Sequence, residues 1–190
     1  HIVLLALSTS LFSQIKRGKN FFDSDSSKVS EIYHYSLKDS TLEGTYEAFY
    51  LNGSLKTYGW YTDNLPDSVW HYYYENGRKK VVGRFSKGIP RGLWKYYFEN
   101  GNMKSEGRLN GTKKEGPWNF YFENDGKKSS GNYVDDQKQG IWNYFFEDGS
   151  IKAQTIIENG IGEYAEFYPS GTRRMEGKNV NDKSEGEWIY

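Results

Sequence analysis

Side chains able to do chemistry are few, and their spacing limits what they could do. Histidine occurs only at positions 1, 34 and 71, and cysteine is absent. Disulfides, thiol catalysis and Cys-ligated metal are thereby excluded. Metal binding wants His, Asp or Glu clustered at ligand spacing, and the three histidines stand far apart in the chain. The acidic candidates are more regular: Glu75, Glu99, Glu123 and Glu147 recur every 24 residues. A carboxylate pair about 5–9.5 Å apart can hydrolyse a glycosidic bond. A row of equivalent carboxylates, however, lacks the contrast in environment that separates an acid from a base. Their regularity suits solvation beside turns and cross-strand pairing with lysine. Asn52-Gly-Ser54 and Asn110-Gly-Thr112 match a glycosylation sequon but read as turns. The sequence predicts no catalytic residue, no metal ligand and no cofactor; no Gly-rich phosphate loop opens a helix.

What recurs is the framework. Aromatic anchors fall at Tyr46, Trp70, Trp94, Trp118, Trp142, Tyr164 and Trp188, spaced by 24 residues except for one interval of 22. A second beat of Gly59, Gly83, Gly107, Gly131 and Gly177 accompanies them, with Thr155 standing in once. Fixed-period self-similarity is the signature of a repeat array, in which each unit buries its apolar face against its neighbours. The period divides the chain into a half unit at 29–43, six units over 44–185 and a truncated unit at 186–190.

Each unit reads as a β-hairpin. One arm alternates Trp-x-Tyr-x-Phe, as at Trp94, Tyr96 and Phe98, and such residues favour strands. Asn-Gly or Asp-Gly follows at 52–53, 76–77, 100–101, 125–126 and 148–149, supplying residues that tolerate positive φ, with Ser170-Gly171 a weaker version. Helix is disfavoured because nothing recurs at 3.6 residues and glycine punctuates the chain. Alternation places Met103, Ser105, Gly107 and Leu109 on the face of Trp94. Glycine within a strand needs a reason, and here the reason is steric: bare backbone leaves room for a neighbouring indole to lie flat. Phe49, Tyr73, Tyr97, Tyr121, Phe145 and Phe167 fall on the opposite face. The expected fold is all-β: an elongated, single-layer antiparallel meander of tandem hairpins.

Composition agrees with this. The 190 residues are 36% hydrophobic but 18% aromatic, so rings rather than aliphatic side chains must supply the packing. Lys+Arg and Asp+Glu both number 25, leaving no global pull toward nucleic acid or anionic membrane. The charges are segregated, however: residues 78–114 hold eleven basic and two acidic side chains, and 115–170 hold ten acidic and four basic ones. Along an array this becomes a basic girdle beside an acidic stretch. Arg84, Lys95 and Arg108, beside Tyr73, Tyr97, Tyr121 and Phe145, form the candidate binding face, suited to an acidic polysaccharide, lipopolysaccharide or an acidic protein. The alternative is that the rings pack as a ladder and the charges pair along the sheet.

At the beginning of the sequence, within residues 1–14, His1 is followed by a run of about a dozen apolar and small residues, too short to span a membrane, and Lys16-Arg17-Gly18-Lys19 follows. The segment reads as the remnant of a secretory signal whose charged n-region is missing, and 15–28 as a flexible lead-in. This predicts an exported protein of the periplasm, outer membrane or extracellular space, with no nucleic-acid partner.

The pattern Gly-x-Trp-x-x-Tyr-[Tyr/Phe]-Glu-Asn-Gly-x-x-Lys-x-x-Gly, read from 92–107, resembles the MORN-repeat variant family of bacterial tandem β-hairpin proteins over roughly 29–190. Departures are Ser68 for the leading glycine, Thr155 for the second, and a two-residue deletion around 158–162. The resemblance implies binding or scaffolding and carries over no catalytic residue. Some members are labelled antitoxin components of toxin–antitoxin systems, which would imply a cytoplasmic site of action. The expectation drawn from all of this is a non-enzymatic scaffold of the bacterial envelope or secreted fraction, binding an unknown protein through its aromatic sheet. A carbohydrate- or cell-wall-binding module and an antitoxin are the alternatives.

Overall fold

The computed structural model describes residues 14–158, 160–180 and 183–190; the signal-like segment lies outside them except for Gln14. Among the described residues fifteen strands follow one another: β1 Ile15–Phe21, β2 Val29–Ser36, β3 Leu42–Phe49, β4 Leu55–Thr62, β5 Leu65–Tyr73, β6 Lys79–Ser86, β7 Ile89–Tyr97, β8 Met103–Asn110, β9 Lys113–Tyr121, β10 Lys127–Val134, β11 Gln137–Phe145, β12 Ile151–Glu158, β13 Ile161–Phe167, β14 Arg173–Val180 and β15 Lys183–Ile189. No α-helix occurs among the described residues. Two compact units are present, one reaching Lys79 and taking in Arg84–Ile89, the other formed by Lys80–Gly83 and Pro90–Tyr190. In the first, β1 to β5 pair antiparallel in order; in the second, β7 to β15 do the same. Each unit is an antiparallel meander of hairpins.

The turns differ from the simplest Asn-Gly reading. At 98–102 the Gly101 N–H donates to the Phe98 carbonyl (3.0 Å) and the Phe98 N–H to the Asn102 carbonyl (2.9 Å). Only Gly101 takes positive φ (96°), so this is a type I turn closed by a left-handed residue. Asn100 contributes its Oδ1, which accepts the Asn102 N–H at 2.9 Å. The next hairpin corrects the sequence reading: Asp125 (φ 67°) holds the left-handed position, and Gly126 follows outside it.

Two bulges recur per unit. On the turn side, registers such as Tyr96↔Ser105 followed by Tyr97↔Met103 leave one extra residue, Lys104. Lys56, Lys128, Lys152 and Arg174 are extruded in the same way. This moves Met103 off the Trp94 face and opposite Tyr97, contrary to simple alternation. On the loop side, Gly107↔Trp118 followed by Arg108↔Glu115 leaves Gly116 and Pro117 extra, with Gly116 at φ 71°. Ser68 occupies the equivalent place at φ 62°. The β12–β13 register runs without a shift. The 22-residue interval is therefore a unit that lacks its loop-side bulge, which explains the two-residue deletion.

The segment read as a flexible lead-in is also corrected in part. Strand β1 lies within 15–28, paired to β2 from Ile15↔Ser36 to Phe21↔Val29. Its Gly18 lies beneath Tyr33, where an added Cβ would fall 2.5 Å from the ring. The hairpin pattern thus begins before residue 29.

Candidate interaction surface

One face of each meander, here the front face, is occupied by packing. Trp70, Trp94, Trp118 and Trp142 are 1–6% exposed. Each lies on the glycine of the preceding strand: a Cβ built at Gly107 would sit 2.1 Å from Cδ2 of Trp118, and at Gly59, Gly83 and Gly131 2.2 Å from the same atom of Trp70, Trp94 and Trp142. Gly177 meets Trp188 at 2.5 Å. Tyr46 and Tyr164 are half-buried anchors. The indole N–H of Trp118 donates to the Arg108 carbonyl (3.1 Å), and that of Trp142 to the Asn132 carbonyl (3.1 Å). Tyr133 stands edge-on to both indoles, at 6.2 and 5.0 Å. Tyr164 donates to Glu166 (3.0 Å), and burial with that carboxylate pushes its phenol up to about 12. Tyr46 is raised in the same sense by burial and its bond to Glu31.

Reading the sequence alone missed the role of the basic residues on this face. The bulged Lys104, Lys128 and Lys152 place their ammonium groups 5.7–5.9 Å from the rings of Phe98, Phe122 and Phe146. Lys56 and Arg174 do the same over Tyr50 and Tyr168. Lys114 and Lys138 cover Trp118 and Trp142 at 5.6 and 5.1 Å. Cations laid over aromatic faces shield rings that a single sheet layer would leave wet. The recurring lysine was visible in the repeat motif; its purpose required the bulge.

The back face of the second unit carries three lines of side chains. Beside the Trp/Gly line on the loop side run Leu93, Arg108, Pro117, Asn132, Ile141, Ile156, Glu163 and Lys178, with the pairs Leu93↔Arg108, Ile141↔Ile156 and Glu163↔Lys178 directly opposed. Leu93, Ile141 and Ile156 are 50%, 54% and 42% exposed. The middle line is polar: Lys95 meets Glu106 at 3.7 Å, and the Gln154 amide donates to Asn143 (2.9 Å). The turn-side line holds Tyr97, Tyr121, Phe145 and Phe167, all half-buried. Tyr121 donates to Glu106 (3.2 Å), and its phenol is raised by burial and that carboxylate. The structure thus brings Tyr97, Tyr121, Phe145, Lys95 and Arg108 onto one face.

Tyr73 and Arg84 belong to the first unit. Tyr73 stacks on His71 (6.4 Å), which also contacts Tyr58 (6.3 Å). Burial and Lys79 lower the basicity of His71. His34 instead bonds the Thr45 carbonyl and hydroxyl. Among the described residues no three His, Asp or Glu side chains form a metal-sized cluster. No helix among them is long and apolar enough to cross a membrane. The four repeated glutamates are exposed at the hairpin ends. Bonds between neighbouring hairpins use the backbone carbonyls of Glu75 and Glu123, which accept from Ser54 and Asn102.

The segregated charge is partly self-neutralised. Lys113 reaches Asp135 at 3.2 Å and Lys114 reaches Asp136 at 3.3 Å, joining the girdle to the acidic stretch. Arg108 remains exposed.

These features define a class: tandem β-hairpin repeats locked by a ring on glycine, with one face consumed by packing. Residues 90–109, which hold Trp94, the Asn100-Gly101 turn and Gly107, match the family model of the MORN repeat variant. Comparison with curated proteins gives no match.

Proposed function

We propose that the chain is a non-enzymatic repeat scaffold of the exported or envelope fraction and that its exposed sheet face holds a protein partner. The observation that carries this is the back face of the second unit, where Leu93, Ile141 and Ile156 stand about half exposed, with a row of half-buried rings on the far side of a polar line. Large apolar side chains on a regular, pre-ordered surface mark contact sites. The repeated positions act through packing and turn geometry, which supports a role without catalysis. Export is supported by the composition of residues 1–14 alone. Immobilised chain should retain one defined envelope protein that a Leu93→Asp/Ile141→Asp double variant releases. Equal retention by both baits would refute the assignment of this face, and cytoplasmic fractionation would favour the antitoxin alternative.

A second reading rests on the ring line. Tyr97, Tyr121 and Phe145 lie on alternate strands, and alternate strands are about 9–10 Å apart, a spacing open to stacking on a linear glycan. Binding to isolated cell wall that disappears in Tyr97→Ala and Tyr121→Ala would select it. Wall binding unaffected by either substitution would remove it.

A further inference from the structure

We infer that the partner of the second unit's back face is a second copy of the same chain, in a two-fold face-to-face sandwich; this rests on reading that face as a contact surface. A two-fold axis parallel to the strands keeps each line of side chains facing its own line and reverses the strand order. Placed between β10 and β11, midway through β7–β14, it sets Arg108 on β8 opposite Glu163 on β13, and Lys95 on β7 opposite Glu176 on β14. Symmetry makes each pairing occur twice. In the same arrangement Pro117 falls opposite Ile156 and Tyr121 opposite Ile151, while Leu93 faces Lys178 and Ile141 faces Asn132, so the charge pairs rather than the apolar residues set this register.

The register is selective. Moving the axis one half-step toward β15, onto β11, puts Arg108 against Lys178. Moving it onto β10 puts Lys127 against its own copy. Arg108 and Glu163 are both exposed in the chain. Glu115, the register partner of Arg108, accepts the Asp135 N–H at 3.1 Å, and Glu163 has Lys178 opposite it within the chain. The size is adequate. Eight strands at about 4.8 Å, crossed by three lines spanning about five residues, give a face of roughly 600 Å² per copy. That approaches the roughly 800 Å² per partner of an ordinary stable interface. Sheets packed face to face are a standard aligned architecture.

The test uses the whole chain in sedimentation-velocity experiments across the micromolar range, with circular dichroism confirming the fold of each variant. Wild type is expected to dimerise. Arg108→Glu alone creates Glu–Glu contacts, and Glu163→Arg alone creates Arg–Arg contacts, so each should weaken the dimer at least about tenfold. An equimolar mixture of the two variants should dimerise as wild type does, because both symmetry-related pairs are then oppositely charged. A monomeric wild type, or a mixture no tighter than the separate variants, overturns the inference. A dimer indifferent to both substitutions also overturns it and assigns association to a sheet edge. A monomeric wild type that still holds an envelope protein through Leu93 and Ile141 would leave the scaffold reading intact.

Discussion

Gly107→Ala is the most informative single substitution, because two effects predict opposite signs. In an ordinary strand alanine is favoured over glycine: it restricts the unfolded chain and is worth about 0.4–1 kcal/mol of stability. Here the new Cβ would lie 2.1 Å from Cδ2 and 2.3 Å from Cε2 of Trp118, more than an ångström inside contact distance. The indole cannot simply retreat. It is 2% exposed, stacked 5.9 Å from Phe120, edge-on to Tyr133, and tied by its N–H to the Arg108 carbonyl. Overpacking of this kind costs typically 1–3 kcal/mol, and the lost hydrogen bond adds about 1 kcal/mol. The net expectation is a destabilisation of about 2–3 kcal/mol, read by urea unfolding followed through tryptophan fluorescence. A companion variant sharpens the test. Thr155 occupies the glycine position where the covering ring is Tyr164, so Gly107→Thr should be partly rescued by Trp118→Tyr. Neutral or improved stability of Gly107→Ala would refute the idea that rings lie on bare backbone.

Other expectations follow from the same geometry. Gly116→Asn should cost under about 1 kcal/mol in urea unfolding, because nothing lies within 4 Å of its Cβ position, Asn tolerates left-handed φ and Ser68 already adopts it. Trp142→Ala should cost about 3–5 kcal/mol, whereas the 43% exposed Trp60 should cost far less on the same substitution. In alkali, stability should fall. The Tyr164 phenol is raised in the folded state, so its contribution is full below the ordinary tyrosine range and is lost as pH climbs through about 12. Tyrosinate absorbance and circular dichroism recorded together should show the coupling, which Tyr164→Phe should reduce. In acid, Asp67 and Asp148 titrate below the ordinary carboxylate range. Asp67 is held there first by the Lys87 N–H and Asp148 first by the Ser150 hydroxyl. Their contribution is present above the unfolded value and is lost as pH falls through the lowered one, so Asp148→Asn should flatten the acid limb of a stability–pH curve.

The periodic part of the architecture was legible because it is local. Trp94, the Asn100-Gly101 turn and Gly107 each state a backbone requirement in their own residue type, and the 24-residue beat shows that the requirement is shared. What escaped depends on register. Lys104 looks like any strand lysine until the Tyr97↔Met103 shift extrudes it over Phe98. Asp125-Gly126 has the composition of a turn pair but sits one residue out of phase with Asn100-Gly101, and only backbone angles reveal which residue is left-handed. Strand β1 was hidden because Lys16, Arg17 and Lys19 give it the composition of a linker. Its pairing to β2 and the Tyr33 ring on Gly18 hold it in place.

The division of labour between faces constrains function more firmly than any motif does. A side chain that lies flat on a neighbour's backbone, as Trp118 does, cannot also reach a partner. The lysines above such rings are likewise committed to covering them. The front-face aromatics that dominate the composition are therefore withdrawn from recognition, and function must use what the packing leaves over. In the second unit that remainder is the line through Leu93, Arg108, Ile141 and Ile156, together with the half-buried rings of Tyr97, Tyr121 and Phe145. Along the loop-side line the residue type varies from one hairpin to the next where the anchor stays the same: Leu93, Pro117 and Ile141 precede three identical tryptophans. Identity is fixed where the fold depends on it. Individuality appears on the opposite side of the same strands, which is where a specific partner would have to read this chain.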